Sequence, residues 1–186
     1  MDAAVQEDLA KDLREKLGDA VLHLEQRDLP TVFVKRENIF QVVRTLYDDR
    51  AFAFRFLTTI TGMHFPDGKD IYNRPVGIWS EIGEPTTDRE FLGLVYQLHN
   101  LEKNQRIRLK IFFPLDKPEV DSVTSIFPGA NWMEREAYDF FGIRFKGHPN
   151  LKRILNIETM TVFPMRRDFP LEDQTRDDKD NKMFGR

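Results

Sequence analysis

The chain contains no cysteine among its 186 residues. Disulfide bonds and cysteine nucleophiles are therefore excluded, and so is any zinc or iron–sulfur site built only from thiolates. We accordingly expect no electron-transfer cluster that this chain holds alone. We expect the chain to bind no redox cofactor of its own.

The chain also has little net charge, because 28 Lys and Arg residues nearly balance 31 Asp and Glu residues to give a formal charge of −3. It lacks the positive charge that attracts proteins to phosphate backbones, so we expect no nucleic-acid partner. Basic residues do alternate with apolar ones from Arg106 to Lys110. Because aromatic residues do not interleave with them, we interpret this pattern as a solvated strand face.

No apolar run approaches the roughly eighteen residues that a membrane-spanning helix needs. The N-terminal stretch MDAAVQEDLAKDLREKL carries acidic residues and lacks the apolar centre of a signal peptide. We therefore expect a cytoplasmic, soluble chain. The sequence likewise contains no glycine-rich phosphate loop and no nucleophile elbow.

Hydrophobic spacing predicts two helices and a pair of strands in the first part of the chain. Apolar residues recur at helical spacing from Val5 to Leu17, which predicts an amphipathic helix over residues 4–17. The short β-branched stretches AVLHLE and TVFVK follow and predict a hairpin. Helical spacing then returns in RENIFQVVRTLYDD.

Strand patterns dominate the middle of the chain. Residues from Phe54 to Phe65 are rich in β-forming types, and VGIWSEIG predicts a further, irregular strand. The stretches EFLGLVYQLHN and RIRLKIFFP flank the polar connection LEKNQ. The second of them alternates apolar and basic residues, so this pair predicts an antiparallel hairpin with one wet face.

A third helix is predicted from Asn131 to Phe141. Asn131 and Glu134 have the spacing of a variant capping box, and Gly142 provides the stop signal. Further on, PMRRDFPLEDQTRDDKDNKMFGR mixes charges of both signs with two prolines and has no helical or strand period. That stretch predicts an extended tail.

The order of these elements predicts an α+β fold of two layers, with the helices packed on one side of a mostly antiparallel or mixed sheet. We expect a single α+β domain over residues 1–155. The remaining residues, 156–186, are predicted to form an extended C-terminal arm.

The helix NWMEREAYDFF, together with His148, contains the residue types of an acid/base site. At about 100° per residue, Glu134 and Glu136 lie about 160° apart and do not form a paired-carboxylate site. Arg135 precedes Asp139 by one turn, which predicts an ion pair between them. We interpret the helix as amphipathic with a charged outer face. Its predicted core face consists of Met133, Ala137, Phe140 and Phe141.

Three residues project off that predicted core face and are of types that anchor protein interfaces, namely Trp132, Arg135 and Tyr138. The stretch therefore predicts a protein-binding surface rather than a reaction centre. An alternative is a stand-alone hydrolase that uses Glu136, Asp139 and His148.

The histidines do not predict a metal site. His148 lies in the tripeptide GHP, which is typical of a shaped turn. The other three, His23, His64 and His99, fall on different predicted strands without metal-ligand spacing.

The stretch IRLKIFFPLDKPEVDSVTSIFPGANWMEREAYDFFGIRFKGHPNLKRIL resembles the 30-kDa subunit of bacterial NADH:quinone oxidoreductase, respiratory complex I. The pattern combines SVTSI, GANWMEREAYDFFGI and FKGHPNLKRIL with a downstream basic pair followed by DFPL. The resemblance is strong over about residues 91–155 and extends weakly to FLTTITGMHF.

The resemblance implies a core subunit of the peripheral arm of a proton-translocating enzyme, without catalytic residues of its own. The parent complex carries FMN, iron–sulfur clusters and quinone, whereas this subunit binds none of them. Its implied partners are the subunit that helps to form the quinone site and the cluster-bearing subunits. Its implied location is the cytoplasmic side of the bacterial inner membrane, where the complex holds it.

The motif positions carried over by the resemblance are implied interface residues. They are Trp132, Glu134, Arg135, Glu136, Tyr138, Asp139, Gly142, His148, Pro149, Arg153, Arg167, Asp168, Phe169 and Pro170. The sequence departs from the family pattern in ETMTVFPMRRDFPLED, so the path of residues 157–166 is not carried over. An alternative parent is a related membrane-bound hydrogenase or another quinone or methanophenazine oxidoreductase.

Overall fold

The computed structural model describes residues 3–26, 28–66 and 90–169. Three α-helices and seven strands follow one another in this part of the chain. Helix α1 spans Ala3–Leu17, strands β1 and β2 span Val21–Gln26 and Pro30–Val34, and α2 spans Ile39–Asp48. Strands β3, β4 and β5 span Phe56–Phe65, Phe91–Asn100 and Gln105–Pro114. Strand β6 (Glu119–Asp121), helix α3 (Ala130–Phe141) and strand β7 (Arg144–Lys146) complete the fold.

Five strands form one mixed sheet in the order β1-β2-β5-β4-β3. Every neighbouring pair is antiparallel except β2 and β5, which run parallel. Strands β6 and β7 form a separate parallel pair. The predicted α+β class and both predicted hairpins are confirmed. The predicted strand VGIWSEIG lies outside the described residues.

One face of the large sheet packs against the helices and forms the main core. Strands β4 and β5 contribute alternate residues to it, because register pairs such as Leu94 with Ile111 and Tyr96 with Leu109 share that face. Helix α2 buries its apolar stripe there, and Phe141 of α3 belongs to the same core. A methyl group on Gly62 of β3 would lie 2.3 Å from the Phe141 ring, so glycine permits α3 to approach the sheet.

The opposite face of β5 differs from the predicted solvated face, on which no aromatic residues were expected among the basic ones. Lys110 lies 5.5 Å from the centre of the Phe33 ring, and Phe33 stacks on Phe112 at 6.0 Å. Aromatic rings therefore do accompany the basic residues, because β2 places Phe33 beside Lys110 through the parallel pairing. These rings are buried, so they provide no exposed platform on which nucleic-acid bases could stack.

Candidate functional site

Helix α3 and the irregular segment that follows it contain most of the predicted site residues. The helix ends at Gly142, whose φ of +77° is a left-handed conformation that glycine adopts without strain. A methyl group there would lie 2.6 Å from the Phe163 ring and 2.7 Å from the Arg166 guanidinium. Gly142 therefore both ends the helix and leaves room for the later segment.

The predicted charged outer face of α3 is wrong at two positions, because Glu134 and Asp139 are completely buried. Glu134 lies in a buried stripe that also contains Ala130, Ala137 and Phe141. Met133 and Phe140, which the helical wheel assigned to the core face, are only half-buried. Glu134 is buried because it lies in the apolar stripe of the helix, whereas Asp139 lies on the opposite side and is buried by residues 153–156.

Glu134 joins α3 to the turn that follows β6. Its carboxylate accepts hydrogen bonds from the Ser122 hydroxyl at 2.6 Å and from the Val123 N–H at 2.8 Å. The predicted capping box is therefore wrong, because Gly129 is the residue at the N-cap and no side chain caps the helix. Burial outweighs these two donors and raises the pKa of Glu134 to about 7.

Tyr96 of β4 is a second buried titratable residue near Glu134. Its hydroxyl has no hydrogen-bond partner among the residues that the structure describes. Burial, reinforced by the negative charges of Glu134 and Asp121, holds the pKa of Tyr96 well above its usual range. The packing of α3 on the sheet thus places a carboxyl and a phenol in an apolar interior.

Asp139 organises the segment that begins at Arg153. Its Oδ2 atom accepts the consecutive backbone N–H groups of Ile154, Leu155 and Asn156 at 3.0, 2.8 and 2.9 Å. Its Oδ1 atom accepts from the Arg153 Nη1 at 2.7 Å and from the Asn156 side-chain amide at 3.1 Å. Successive N–H groups that converge on one anion form a nest.

The electrostatics of Asp139 follow from this nest. Burial raises the pKa of the carboxyl, but the backbone donors and the Arg153 guanidinium outweigh burial and hold the pKa well below its usual range. Arg153, and not the predicted Arg135, is the ion-pair partner. The sequence offered Arg135 because it is one turn away, whereas Arg153 reaches Asp139 only after the chain folds back.

Arg135 instead connects the helix to the same segment through carbonyl groups. It donates to the Lys152 carbonyl at 3.1 Å and to the Arg153 carbonyl at 3.0 Å. Its guanidinium also lies 5.4 Å from the centre of the Trp132 ring. The Trp132 side chain is 62% exposed, so α3 presents an aromatic surface beside the segment.

The segment continues along the end of α3 through two further arginines. Arg153 donates to the Met160 and Val162 carbonyls at 2.6 and 3.0 Å, and Arg166 donates to the Phe141 carbonyl at 2.8 Å. Both guanidiniums contact the Phe163 ring, at 5.1 and 4.4 Å from its centre. These contacts, which the sequence did not predict, position residues 153–166 without a helix or strand.

His64 of β3 anchors the end of the described chain. The Arg167 N–H donates to His64 Nδ1 at 2.8 Å, so Nε2 carries the proton and donates it to Glu90 at 2.6 Å. Asp168 lies 3.7 Å from Nδ1. Sequence spacing predicted no carboxylate partner for His64. Glu90 comes near His64 only through the β3–β4 register, which pairs His64 with Leu92.

His64, Glu90 and Asp168 are close enough to suggest a metal site in the described part of the chain. A metal ion would need one nitrogen of the His64 ring as a ligand. Both nitrogens already take part in hydrogen bonds, one with a backbone N–H and one with a carboxylate. Through these two hydrogen bonds the His64 ring anchors the end of the described chain.

His148 has a different role from the one that a hydrolase would require. Its Nδ1 accepts from the Asn150 N–H at 3.0 Å, and its Nε2 donates to the Asn131 carbonyl at 3.1 Å. Burial, with the nearby charge of Arg135, lowers the pKa of His148 although the bond to Asn131 opposes this. Asn131 lies eight residues, or roughly 12 Å of helix, from Asp139. Glu136, Asp139 and His148 are therefore not brought together as an acid/base site.

The remaining predicted interface residues lie around this segment and stay predictions as to role. Glu136, Pro149, Arg167 and Asp168 are exposed, while Tyr138 and Phe169 are half-buried and Pro170 lies outside the described residues. The predicted boundary between residues 1–155 and 156–186 likewise stays a prediction. Among the described residues, no helix has the length and apolar character that crossing a membrane requires.

Comparison with known proteins gives consistent matches. The family model described as respiratory-chain NADH dehydrogenase, 30 Kd subunit, matches residues 32–175. A protein of Citrifermentans bemidjiense that is named as a subunit of NADH-quinone oxidoreductase is 37% identical over 168 residues, which cover 89% of each chain. The protein of the same name from Mycolicibacterium gilvum is 36% identical over 157 residues, covering 84% of this chain and 60% of the relative.

Relatives differ in length, and the chain spans about half to three fifths of some of them, with 49% coverage for the Streptomyces coelicolor protein. Among solved structures, Nqo5, described as a trypsin-resistant fragment (1-134), matches with a TM-score of 0.56 and 29% identity. The match covers 78% of this chain and 98% of the fragment. An archaeal membrane-bound sulfane sulfur reductase complex contains a chain with a TM-score of 0.67, 24% identity and coverage of 89% and 85%, which shows the fold alone.

Proposed function

The chain belongs to the family of the respiratory-chain NADH dehydrogenase 30 Kd subunit, and from this membership we propose that it is a non-redox core subunit of an NADH:quinone oxidoreductase. In this role it supports the subunits that form the quinone site and the cluster chain, and it contributes no group to electron transfer. The relatives at 36–38% identity that are named as subunits of NADH-quinone oxidoreductase support this parent enzyme over a hydrogenase.

One observation carries the structural part of the proposal. The acidic and basic residues of the signature region bind to each other and to backbone groups of the chain's own irregular segment. The Asp139 carboxylate accepts five hydrogen bonds, and the Glu134 carboxylate accepts a hydrogen bond from Ser122 in the turn after β6. Both residues are completely buried, so neither carboxylate is exposed to a substrate from solvent. Such an arrangement favours a role of these carboxylates in holding a binding surface in place, and not a role in a chemical step.

The proposed partners are the quinone-site subunit and the cluster-bearing subunits of the same enzyme. The proposed location is the cytoplasmic face of the membrane, with attachment only through the complex. Translocation of protons belongs to the assembled enzyme in this proposal, and residues 156–186 contribute an arm to the assembly.

Purification of the enzyme through an affinity tag on this chain tests the proposal. We expect equal amounts of this chain and of the flavin- and cluster-bearing subunits, together with NADH:quinone reductase activity. A strain without this chain should lose the assembled peripheral arm, and the unaltered chain should restore it. A tagged chain that purifies without those subunits, or an arm that assembles fully in its absence, would contradict the proposal.

A further inference from the structure

The end of the described chain is held by a titratable ring. The side chain of His64 on β3 is completely buried, and its two ring nitrogens contact different parts of the chain. Nδ1 accepts the Arg167 N–H at 2.8 Å, and Nε2 donates to Glu90 at 2.6 Å. We name these three residues, together with Asp168, the His64 anchor. The ring thus makes a contact across 103 positions of sequence to a segment that contains no helix or strand.

The hydrogen bond to Arg167 requires a ring that is unprotonated at Nδ1. A backbone N–H can only donate, so Nδ1 must offer a lone pair to it. If Nδ1 takes up a proton, two donors face each other across 2.8 Å, and the bond becomes a repulsive contact. The bond from Nε2 to Glu90 opposes rotation of the ring away from this contact. Protonation of His64 therefore breaks the bond to Arg167.

A carboxylate lies within reach of the protonated ring. Asp168 Oδ1 is 3.7 Å from Nδ1, which is longer than a hydrogen bond. An approach of about 1 Å would convert this contact into a charge-assisted hydrogen bond. Because Glu90 already accepts from the other nitrogen, the protonated ring would have a carboxylate on each side. Such pairing is what allows a buried group to carry a charge.

The surroundings of the ring contribute charges of other chemical types. The charged groups that the described chain places around it are Glu90, directly before β4, and Asp168 and Arg166 in the segment after α3. Strand β4 contributes the register partner Leu92, and α3 contributes Phe141, whose ring packs against β3 two residues earlier. Carboxylates and guanidiniums ordinarily keep their charges between pH 5 and pH 8, whereas histidines commonly change theirs in that range. We therefore assign a response of this contact to pH to the ring.

We propose that the His64 anchor is a proton-dependent switch that sets where the segment after α3 is attached to β3. With the ring neutral, the backbone of Arg167 is bound to Nδ1. With the ring protonated, that bond is broken and the side chain of Asp168 binds Nδ1 instead. One proton enters at Nδ1, and otherwise only hydrogen bonds form and break. The inference goes beyond the proposed function, because it concerns this chain alone and is independent of the parent enzyme.

Amide hydrogen exchange of the full chain, followed by NMR from pH 5 to pH 8, tests the switch. The Arg167 amide is itself the donor to Nδ1, so its protection factor, corrected for the intrinsic effect of pH on exchange, reports this bond. We expect its protection to fall on the order of fivefold as the pH decreases, which is the effect of losing one hydrogen bond. The ring nitrogen signals of His64 should show proton uptake at Nδ1 over the same pH interval.

Two histidine variants provide the comparison. In H64N, the Asn Oδ1 atom replaces Nδ1 as the acceptor of the Arg167 N–H and does not titrate, so the protection of that amide should not depend on pH. H99N is the control, because His99 lies at the opposite end of the β3–β4 pairing, where its ring contacts Asn104 at 3.2 Å. The response of H99N to pH should equal that of the unaltered chain.

Protection of Arg167 that falls at low pH in the unaltered chain and in H99N, but not in H64N, supports the proposal. Constant protection in the unaltered chain would overturn it, and so would an equal fall in H64N. If H64N does not fold, the ring signals of the unaltered chain decide. Proton uptake at Nδ1 at the pH where protection falls supports the switch, whereas a fall at a different pH, or with Nδ1 unprotonated, overturns it.

Discussion

Replacing Glu134 by Gln should remove a pH dependence from the stability of this protein. The carboxyl is completely buried, and burial raises its pKa from 4.5 to about 7. The folded state therefore retains the proton more tightly than the unfolded state does. The contribution of Glu134 to stability is fully present below pH 4.5 and is lost as the pH rises to about 7.

The magnitude follows from the separation of the two pKa values. At 1.36 kcal/mol per pH unit, the shift from 4.5 to about 7 corresponds to about 3 kcal/mol, most of which falls between pH 5 and pH 8. Gln has nearly the same shape: its side-chain oxygen can accept from the Val123 N–H, and its amide N–H can donate to the Ser122 hydroxyl oxygen. Because Gln does not titrate, the variant should not lose this stability as the pH rises.

Urea unfolding of the isolated chain and of E134Q at half-unit intervals from pH 5 to pH 8 measures the effect. Other titrating residues act alike in both proteins, so the difference between the two unfolding free energies isolates Glu134. We expect that difference to move by about 2–3 kcal/mol in favour of E134Q across the range. A difference that stays constant to within about 0.5 kcal/mol would refute the reasoning about the buried carboxyl.

Three further predictions concern the anchor, the cofactor and the arm. In the same urea titration, D139N should lower the free energy of unfolding by about 3–5 kcal/mol, because it leaves Arg153 buried without its ion-pair partner. The control E136Q is at an exposed position and should change the free energy of unfolding by less than about 0.5 kcal/mol. The purified chain should absorb no light above the aromatic band, and stoichiometric flavin or iron would contradict a non-redox role. Trypsin should cut after Arg167 and Arg176 faster in the free chain than in the assembled enzyme, and equal rates would contradict an arm that docks on partners.

Elements with a regular hydrophobic period were predictable from the sequence. In α2, apolar residues recur on one side of the helix, and this spacing predicts which residues face the core. The residues so predicted, including Val42 and Leu46, are buried. The β4–β5 hairpin was equally clear, because its alternation specifies both the strand and the buried face. The order of the strands in the sheet was not predictable, since the parallel contact of β2 with β5 joins strands that are distant in sequence.

The candidate site was predictable in location but not in detail. Glu134 was assigned to the surface because its side chain is charged, although it lies four residues after Ala130 and three before Ala137 in the buried stripe. Spacing of the apolar residues would have identified it. The partner of Asp139 had no such signal, because Arg153 is 14 residues away and approaches through a segment without a period. Nearby Arg135 was the only candidate that local spacing offered.

Turnover per assembled enzyme in R135A tests the central claim that the signature region serves assembly and not chemistry. Arg135 connects α3 to the backbone at Lys152 and Arg153, so its removal should reduce the amount of enzyme on a native gel. The quinone reductase activity of each assembled enzyme should stay near that of the unaltered protein. Full assembly combined with a loss of turnover of about a hundredfold, the size of effect that removal of an acid/base group produces, would contradict the account.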